Sequence, residues 1–298
     1  RAEAKVILEV KKNLISPKNN TNWIGCSQDA ITGGYLLGIG EFSREEANQI
    51  LYKSGIDHHF SKKTVLGTEI FSSILPKINF FNESIKIKDG EITHGIVDSS
   101  LFGSDEGALS KEIDKKIGRV AAFAAIKKAF NLGKNHLTER GITISLNDLD
   151  VEDKVVDMSE EIIKKAEEKA REIIKEYDNG TLEVIQGKTA EESREIKILK
   201  VLNEVRTKIG EIVKKEFPEE NPVTYMIRSG GGGNVLNITQ MACCVGQQDL
   251  EGRRIDIGYK NKTLSFFKEK DLSPRARGFI RSPFIQGLKP DEFFFGAM

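Results

Sequence analysis

Hydrophobic and polar positions divide this 298-residue chain into two stretches of different rhythm. From residue 1 to about 145 the pattern is mixed. A helical repeat over Ala2 to Val10 stops before Pro17, where a proline blocks continuation. Trp23 to Leu37 is apolar, and its glycines predict bends. Ser43-Arg-Glu-Glu46 is a capping box that predicts a helix to about Leu51. Ser84 to Ile92 alternates with period two around Asp89-Gly90, which predicts a hairpin. Ile113 to Leu137 carries helical apolar spacing and ends near Arg140-Gly141.

From 153 to 217 the rhythm is helical throughout. A capping box at Asp157-Met-Ser-Glu160 and a stripe of Ile162, Ile163, Ala166, Ala170, Ile173 and Ile174 predict one helix, closed at Asp178-Asn-Gly180. Thr189-Ala-Glu-Glu192 opens a second, with Ile196, Leu199, Leu202, Val205, Ile209 and Ile212 inward, ended by Pro218. Two capped amphipathic helices with a short link predict a long antiparallel helical hairpin. Its outer faces carry Glu and Lys at i,i+4 spacing, the pattern of a solvated surface. Val223 to Ser229 reads as a short strand, followed by Gly230 to Gly233 and a helix around Asn237. Residues 253 to 285 read as loop, and Asp291-Glu-Phe-Phe-Phe295 begins another helix. The fold class expected is α+β, a mixed α/β region followed by a mostly helical one.

Charge narrows the function classes. Lysine plus arginine equals aspartate plus glutamate at 45 each, which argues against a free-standing, non-specific nucleic-acid binder. It fits a part of a larger assembly. The cysteines, Cys26, Cys243 and Cys244, have no zinc spacing, so reduced thiols in a core and no metal site are expected. No apolar run approaches the roughly 20 residues of a membrane span, and the start has no signal-peptide core. A cytoplasmic protein without membrane contact is expected. Without an initiator methionine, and with Met298 ending an apolar pattern, both ends read as cut from something longer.

Candidate chemistry is sparse. Gly230, Gly231, Gly232 and Gly233 before a helix suit either an anion cradle or a tight turn for close packing, and no P-loop Lys-Ser/Thr follows. Gln240, Gln247 and Gln248 suit uncharged contacts to phosphate or ribose, or a half-buried polar network. Arg253, Arg254, Arg275, Arg277 and Arg281 suit phosphate or acidic partners, with Glu251 and Asp256 as nearby ion-pair partners for the first two. His58, His59, His94 and His136 share no spacing with a nucleophile. No self-contained catalytic site is legible.

An ordered series of motifs carries more. Leu236 to Gln248, with its Cys243-Cys-Val-Gly-Gln-Gln248 end, is followed by Glu251-Gly-Arg-Arg254, Leu272-Ser-Pro-Arg-Ala-Arg-Gly-Phe279 and Gly287 to Phe295. Upstream stand Arg1-Ala-Glu-Ala, Leu14-Ile-Ser-Pro17, Gln28-Asp29, Thr32-Gly33, Tyr35-Leu-Leu37, Arg140 to Ile144 and Leu202-Asn-Glu-Val-Arg206. The series resembles the largest subunit of the multisubunit DNA-directed RNA polymerases, archaeal A′ type, along nearly the whole chain.

That resemblance implies a pore region at 1–145, a funnel at 146–290, and at 291–298 the start of the bridge helix. Together these form a secondary channel for nucleoside triphosphates, backtracked RNA with its 3′ end, and the transcript-cleavage factor. The other polymerase subunits are implied partners, and DNA is engaged only by the whole assembly. Arg206, Asn237, Gln240, Gln247, Gln248 and Glu292 are implied to line or buttress the channel. No catalytic residue is implied here. The aspartate motif that holds magnesium in relatives lies before the position of Arg1, so the isolated chain is expected to be inactive and to bind no cofactor. This sequence departs from the family pattern at Gly232, Gly296, Ser265-Phe266 and Arg275. The helical hairpin alone also suits a second reading, a stand-alone protein-interaction module.

Overall fold

The computed structural model describes residues 1–256, 258 and 260–298. About 53% of the chain is helical, and every pair of strands in its small sheets is antiparallel. Helices and antiparallel strands in separate patches make this an α+β protein. Two compact units form, one from Arg1–Ile144 with Glu219–Gly233, the other from Ser145–Pro218 with Asn234–Met298.

The first unit is built on two helices, Asp29–Gly38 and Arg119–Arg140. Glycine sets how closely they approach. A Cβ on Gly33 would lie 2.1 Å from the carbonyl oxygen of Gly133, and one on Gly133 would lie 2.0 Å from that of Ala30. Backbone meets backbone there, which only glycine permits. The bends expected from these glycines are therefore absent. Gly33 and Gly34 sit inside the first helix because tertiary contact overrides their weak helix preference. Around this pair packs one large core that includes Leu14, Leu37, Val65, Phe71, Ile87 and Phe102.

Local signals in this unit hold at most points. Ser43 caps its helix through Glu46 with both halves of the box formed. The hairpin joins Lys86–Lys88 to Glu91–His94, and Asp89 (φ 52°) and Gly90 (φ 85°) both take positive φ, as a two-residue turn of the I′ kind requires. The 113–137 pattern is interrupted: one helix ends at Lys116, Gly118 adopts φ 120°, and the next begins at Arg119. The first helix is shorter than expected, Ala2–Val6, with a 3₁₀ turn at Val10–Lys12.

Val223 to Ser229 is not a strand. Pro222–Ser229 is a helix with proline at its first position, where no N–H is needed, and the Asn221 side chain accepts from the Val223 N–H. It packs on the Asp29–Gly38 helix, with Ser229 Oγ 3.4 Å from Thr32 Oγ1.

The second unit contains the helical hairpin, Asp153–Asp178 against Ala190–Glu216. The second helix opens at the Thr189–Glu192 box as expected. The first opens four residues before Asp157, with Glu152 at the cap, so Asp157-Met-Ser-Glu160 lies inside it and Ser159 is buried. The inward stripe of the second helix is Ile198, Leu202, Val205, Ile209 and Val213, while Ile196 is exposed. The Val235–Ala242 helix crosses this one at Gly210, where a Cβ would just touch Thr239 and Val235. A smaller core of Val245, Ile255, Ile280 and Phe295 holds the short strands Gly246–Gln247 and Phe279–Ile280 to the Pro290–Ala297 helix.

Candidate functional site

The residues singled out in the sequence fall into three settings. The glycine run works as a helix stop. Gly230 (φ 71°) caps the Pro222–Ser229 helix, and the N–H groups of Gly230, Gly231 and Gly232 all donate to Met226 or Ile227 carbonyls. A Cβ on Gly231 would collide with Thr32 Oγ1 at 2.2 Å, so the run also permits close packing. The amides that an anion cradle needs are occupied here. Gly233 (φ 69°) leads to Asn234, which exchanges reciprocal side-chain bonds with the exposed Asn237 and starts the next helix.

Arg206, Gly246, Gln247 and Gln248 come together in the second unit. The Arg206 side chain lies across Gly246, whose φ of 86° and missing Cβ make room: a Cβ there would sit 2.6 Å from Arg206 Cγ. The guanidinium donates to Asn203 Oδ1 at 3.3 Å and forms no ion pair among the described residues. Gln247 is 1% exposed, and its Nε2 donates to the carbonyls of Gln248 (2.6 Å) and Arg277 (2.7 Å). Its Oε1 is buried without a partner. Half-buried Gln248 receives support from both sides: its N–H donates to Gly278 O and its Nε2 to Gly246 O. Half-buried Gln240 reaches Val245 O at 3.5 Å.

Glu292 stands apart from this group. It is 4% exposed, and its carboxylate accepts from the backbone N–H groups of Arg281, Ser282 and Lys289. Burial pushes its pKa up, but the Lys289 N–H, the Ser282 side chain and the Ser282 and Arg281 N–H groups outweigh burial and hold it below the usual range. A charged carboxylate thus ties the 281–282 segment to the start of the last helix. Next to it, Asp291 accepts from Arg275 at 2.8 Å, which gives the family departure at Arg275 a local partner.

Sequence reasoning misassigned one arginine. Arg254 pairs with neither Glu251 nor Asp256. Its fully buried side chain donates to both oxygens of Glu195 (2.8 and 3.0 Å), on the hairpin's second helix, and to Leu272 O. Arg194 adds its own bond to Glu195 and lies 4.2 Å from the centroid of the Tyr177 ring. The pairing spans 59 positions, so no spacing rule finds it. The three cysteines are free, and burial raises Cys26 and Cys244 to about 12, which keeps both as inert thiols.

Among the described residues, no three His, Cys, Asp or Glu side chains are grouped to hold a metal ion, and no helix is long and apolar enough to cross a membrane. Arg206, Gly246, Gln247 and Gln248 together make a polar surface carrying one guanidinium.

Comparison with known proteins places the chain in a family. The model for RNA polymerase Rpb1, domain 3, matches residues 13–149, and that for RNA polymerase Rpb1, domain 4, matches residues 173–280. The chain belongs to the family of RNA polymerase largest subunits. Over its whole length it is 35% identical to DNA-directed RNA polymerase subunit Rpo1N of Methanocaldococcus jannaschii. It is 34% identical to the subunit of that name from Halobacterium salinarum and 35% identical to that from Methanothermobacter thermautotrophicus. The chain spans 24%, 32% and 37% of the lengths of these three relatives.

Proposed function

We propose that this chain forms the pore (1–145), the funnel (146–290) and the opening of the bridge helix (291–298) in an archaeal-type, cytoplasmic DNA-directed RNA polymerase. The secondary channel so formed admits nucleoside triphosphates and releases backtracked RNA, and the transcript-cleavage factor enters through it. The observation that carries this reading is the Arg206 group. One guanidinium, without an ion pair among the described residues, stands over Gly246 beside glutamines, in place of a dense basic cluster. A passage for polyanions needs such a surface, because strong clusters would trap what they attract.

RNA extension in such an enzyme is supplied by two-metal chemistry on the nucleotide phosphates. In this reading the magnesium ions are held by carboxylates outside this chain. The work of this chain is positional. Gly246 holds the Arg206 stem, Gln247 fixes Gln248 by bonding its carbonyl, and Glu292 fastens the root of the bridge helix. On this reading the isolated chain extends no RNA by itself, which an extension assay on the purified chain with added magnesium checks.

Elongation and transcript cleavage by the reconstituted polymerase test the reading. Arg206→Ala is expected to slow elongation or change cleavage of backtracked RNA by roughly tenfold, the scale of one charge-assisted contact. Gln247→Ala acts in the same direction, by releasing Gln248. Unchanged kinetics in both variants would contradict the channel role.

A further inference from the structure

The 271–279 loop, in the second unit, holds the glutamine pair at one end and is itself held at the other. Arg277 O accepts from Gln247 Nε2 at 2.7 Å, and Gly278 O accepts from the Gln248 N–H at 2.8 Å. The loop closes on itself: Arg277 Nε donates to Asp271 O at 2.9 Å, and the Phe279 N–H to Pro274 O at 3.0 Å. Its other end is fixed by Arg254, whose guanidinium donates to Leu272 O at 3.1 Å. Gly278 (φ 89°) lets the loop come close, since a Cβ there would meet Ile255 Cδ1 at 2.8 Å and Gln248 O at 3.2 Å.

Glu195 directs the Arg254 fork. Its two oxygens accept from Nε and Nη2 of that guanidinium at 2.8 and 3.0 Å, which leaves Nη1 for Leu272 O. The Arg254 side chain is fully buried. Burying a charge is costly, and an apolar pair of similar volume often stabilises a fold as well. An apolar pair lacks direction, whereas a rigid guanidinium meets a carboxylate on one edge and a carbonyl on another. Gln247 needs a directed seat. Its buried Oε1 has no hydrogen-bond partner among the described residues, so Nε2 alone orients the amide, through Gln248 O and Arg277 O.

We infer that Glu195 and Arg254 are positioning residues for the channel wall, holding the 271–279 loop so that it seats Gln247 and Gln248. The inference rests on the channel reading above and extends it to a pair on the hairpin's second helix and the Arg253–Arg254 strand. Neither residue is assigned a contact with nucleotide or RNA. Arg194, one position before Glu195, donates to the same carboxylate and steadies it on the helix.

Hydrogen exchange and kinetics of the reconstituted polymerase test this role. Arg254→Lys keeps the charge but loses the fork, and should speed amide exchange in the 246–250 segment about tenfold. It should also change elongation or transcript cleavage in the direction of Gln247→Ala, by about threefold. Adding Arg254→Lys to Gln247→Ala should then change little, because both remove the same seat. Glu195→Gln is expected to act like Arg254→Lys and stands in should that variant fail to fold. Ile198→Val, which loosens the buried hairpin seam alone, should leave both readouts at parent values. Unchanged exchange at 246–250, kinetic effects of the two substitutions that multiply, or the same changes in Ile198→Val would overturn the inference. The channel reading fails separately, and this role with it, if Arg206→Ala and Gln247→Ala are both kinetically silent whatever the exchange shows.

Discussion

The two units of this chain reach stability by different means. The first relies on close backbone approach at Gly33 and Gly133 and on one large aliphatic core. The second buries an apolar seam along its long hairpin and a cluster around Ile280 and Phe295, and adds buried ionic contacts to them. Arg254–Glu195–Arg194 joins the hairpin to the segment that follows it, and Glu292 clasps the last helix. Close packing of that kind is insensitive to pH and salt. Ion pairs and charged hydrogen bonds are not. The difference teaches where each unit is vulnerable: the first to added volume, the second to lost charge.

The largest effect is expected in the first unit. Gly133→Ala drives a methyl into the Ala30 carbonyl and should cost about 3 kcal/mol. Urea unfolding reads this as a lower midpoint at unchanged slope. A midpoint within error of the parent would show that the helix pair does not depend on that approach.

Next in size is Arg254→Met, expected at about 2 kcal/mol because Glu195 keeps Arg194 and is partly exposed. The same cluster predicts a pH dependence. Burial raises the Glu195 pKa, but Arg254 and then Arg194 outweigh it and hold the folded value below 4.5. A carboxylate depressed by folding stabilises fully above its unfolded pKa, and that contribution is lost as pH falls through the folded value. Thermal melts should therefore show the second unit weakening below about pH 4.5, with Glu195→Gln flattening the profile. An acid profile identical to the parent's would remove Glu195 from the account.

The smallest effect sharpens the picture of the hairpin. Ile198→Val should cost about 1 kcal/mol and Ile196→Val less than about 0.5 kcal/mol, since Ile198 is fully buried and Ile196 is 42% exposed. Equal costs would restore the stripe first expected from the sequence.

That stripe shows how far the sequence was legible. Local chemistry spoke clearly at the Ser43 and Thr189 boxes, at the Asp89-Gly90 turn and at the Asp178-Asn-Gly180 stop, because each signal acts within four residues. It misled where distant contacts decide. Gly33 and Gly34 resembled a bend until Gly133 was placed opposite. Asp157 resembled a cap, although its helix begins at Asp153. Val223 to Ser229 resembled a strand because its apolar run hid the Asn221-Pro222 helix start. At the candidate site, the glutamine pair and Arg206 stood out by motif. Their geometry, Arg206 lying over Gly246 and Gln247 bonded to Arg277, joins residues up to 40 positions apart and needed the fold.

The claim most exposed to test is that this chain is part of a polymerase. Affinity purification of the native gene product under gentle conditions, followed by mass analysis and a template-directed RNA extension assay, addresses it directly. The account predicts a polypeptide well above 33.2 kDa, co-purifying with several subunits in a complex that extends RNA. A product of about that mass, alone or with an unrelated partner and without extension activity, would contradict it.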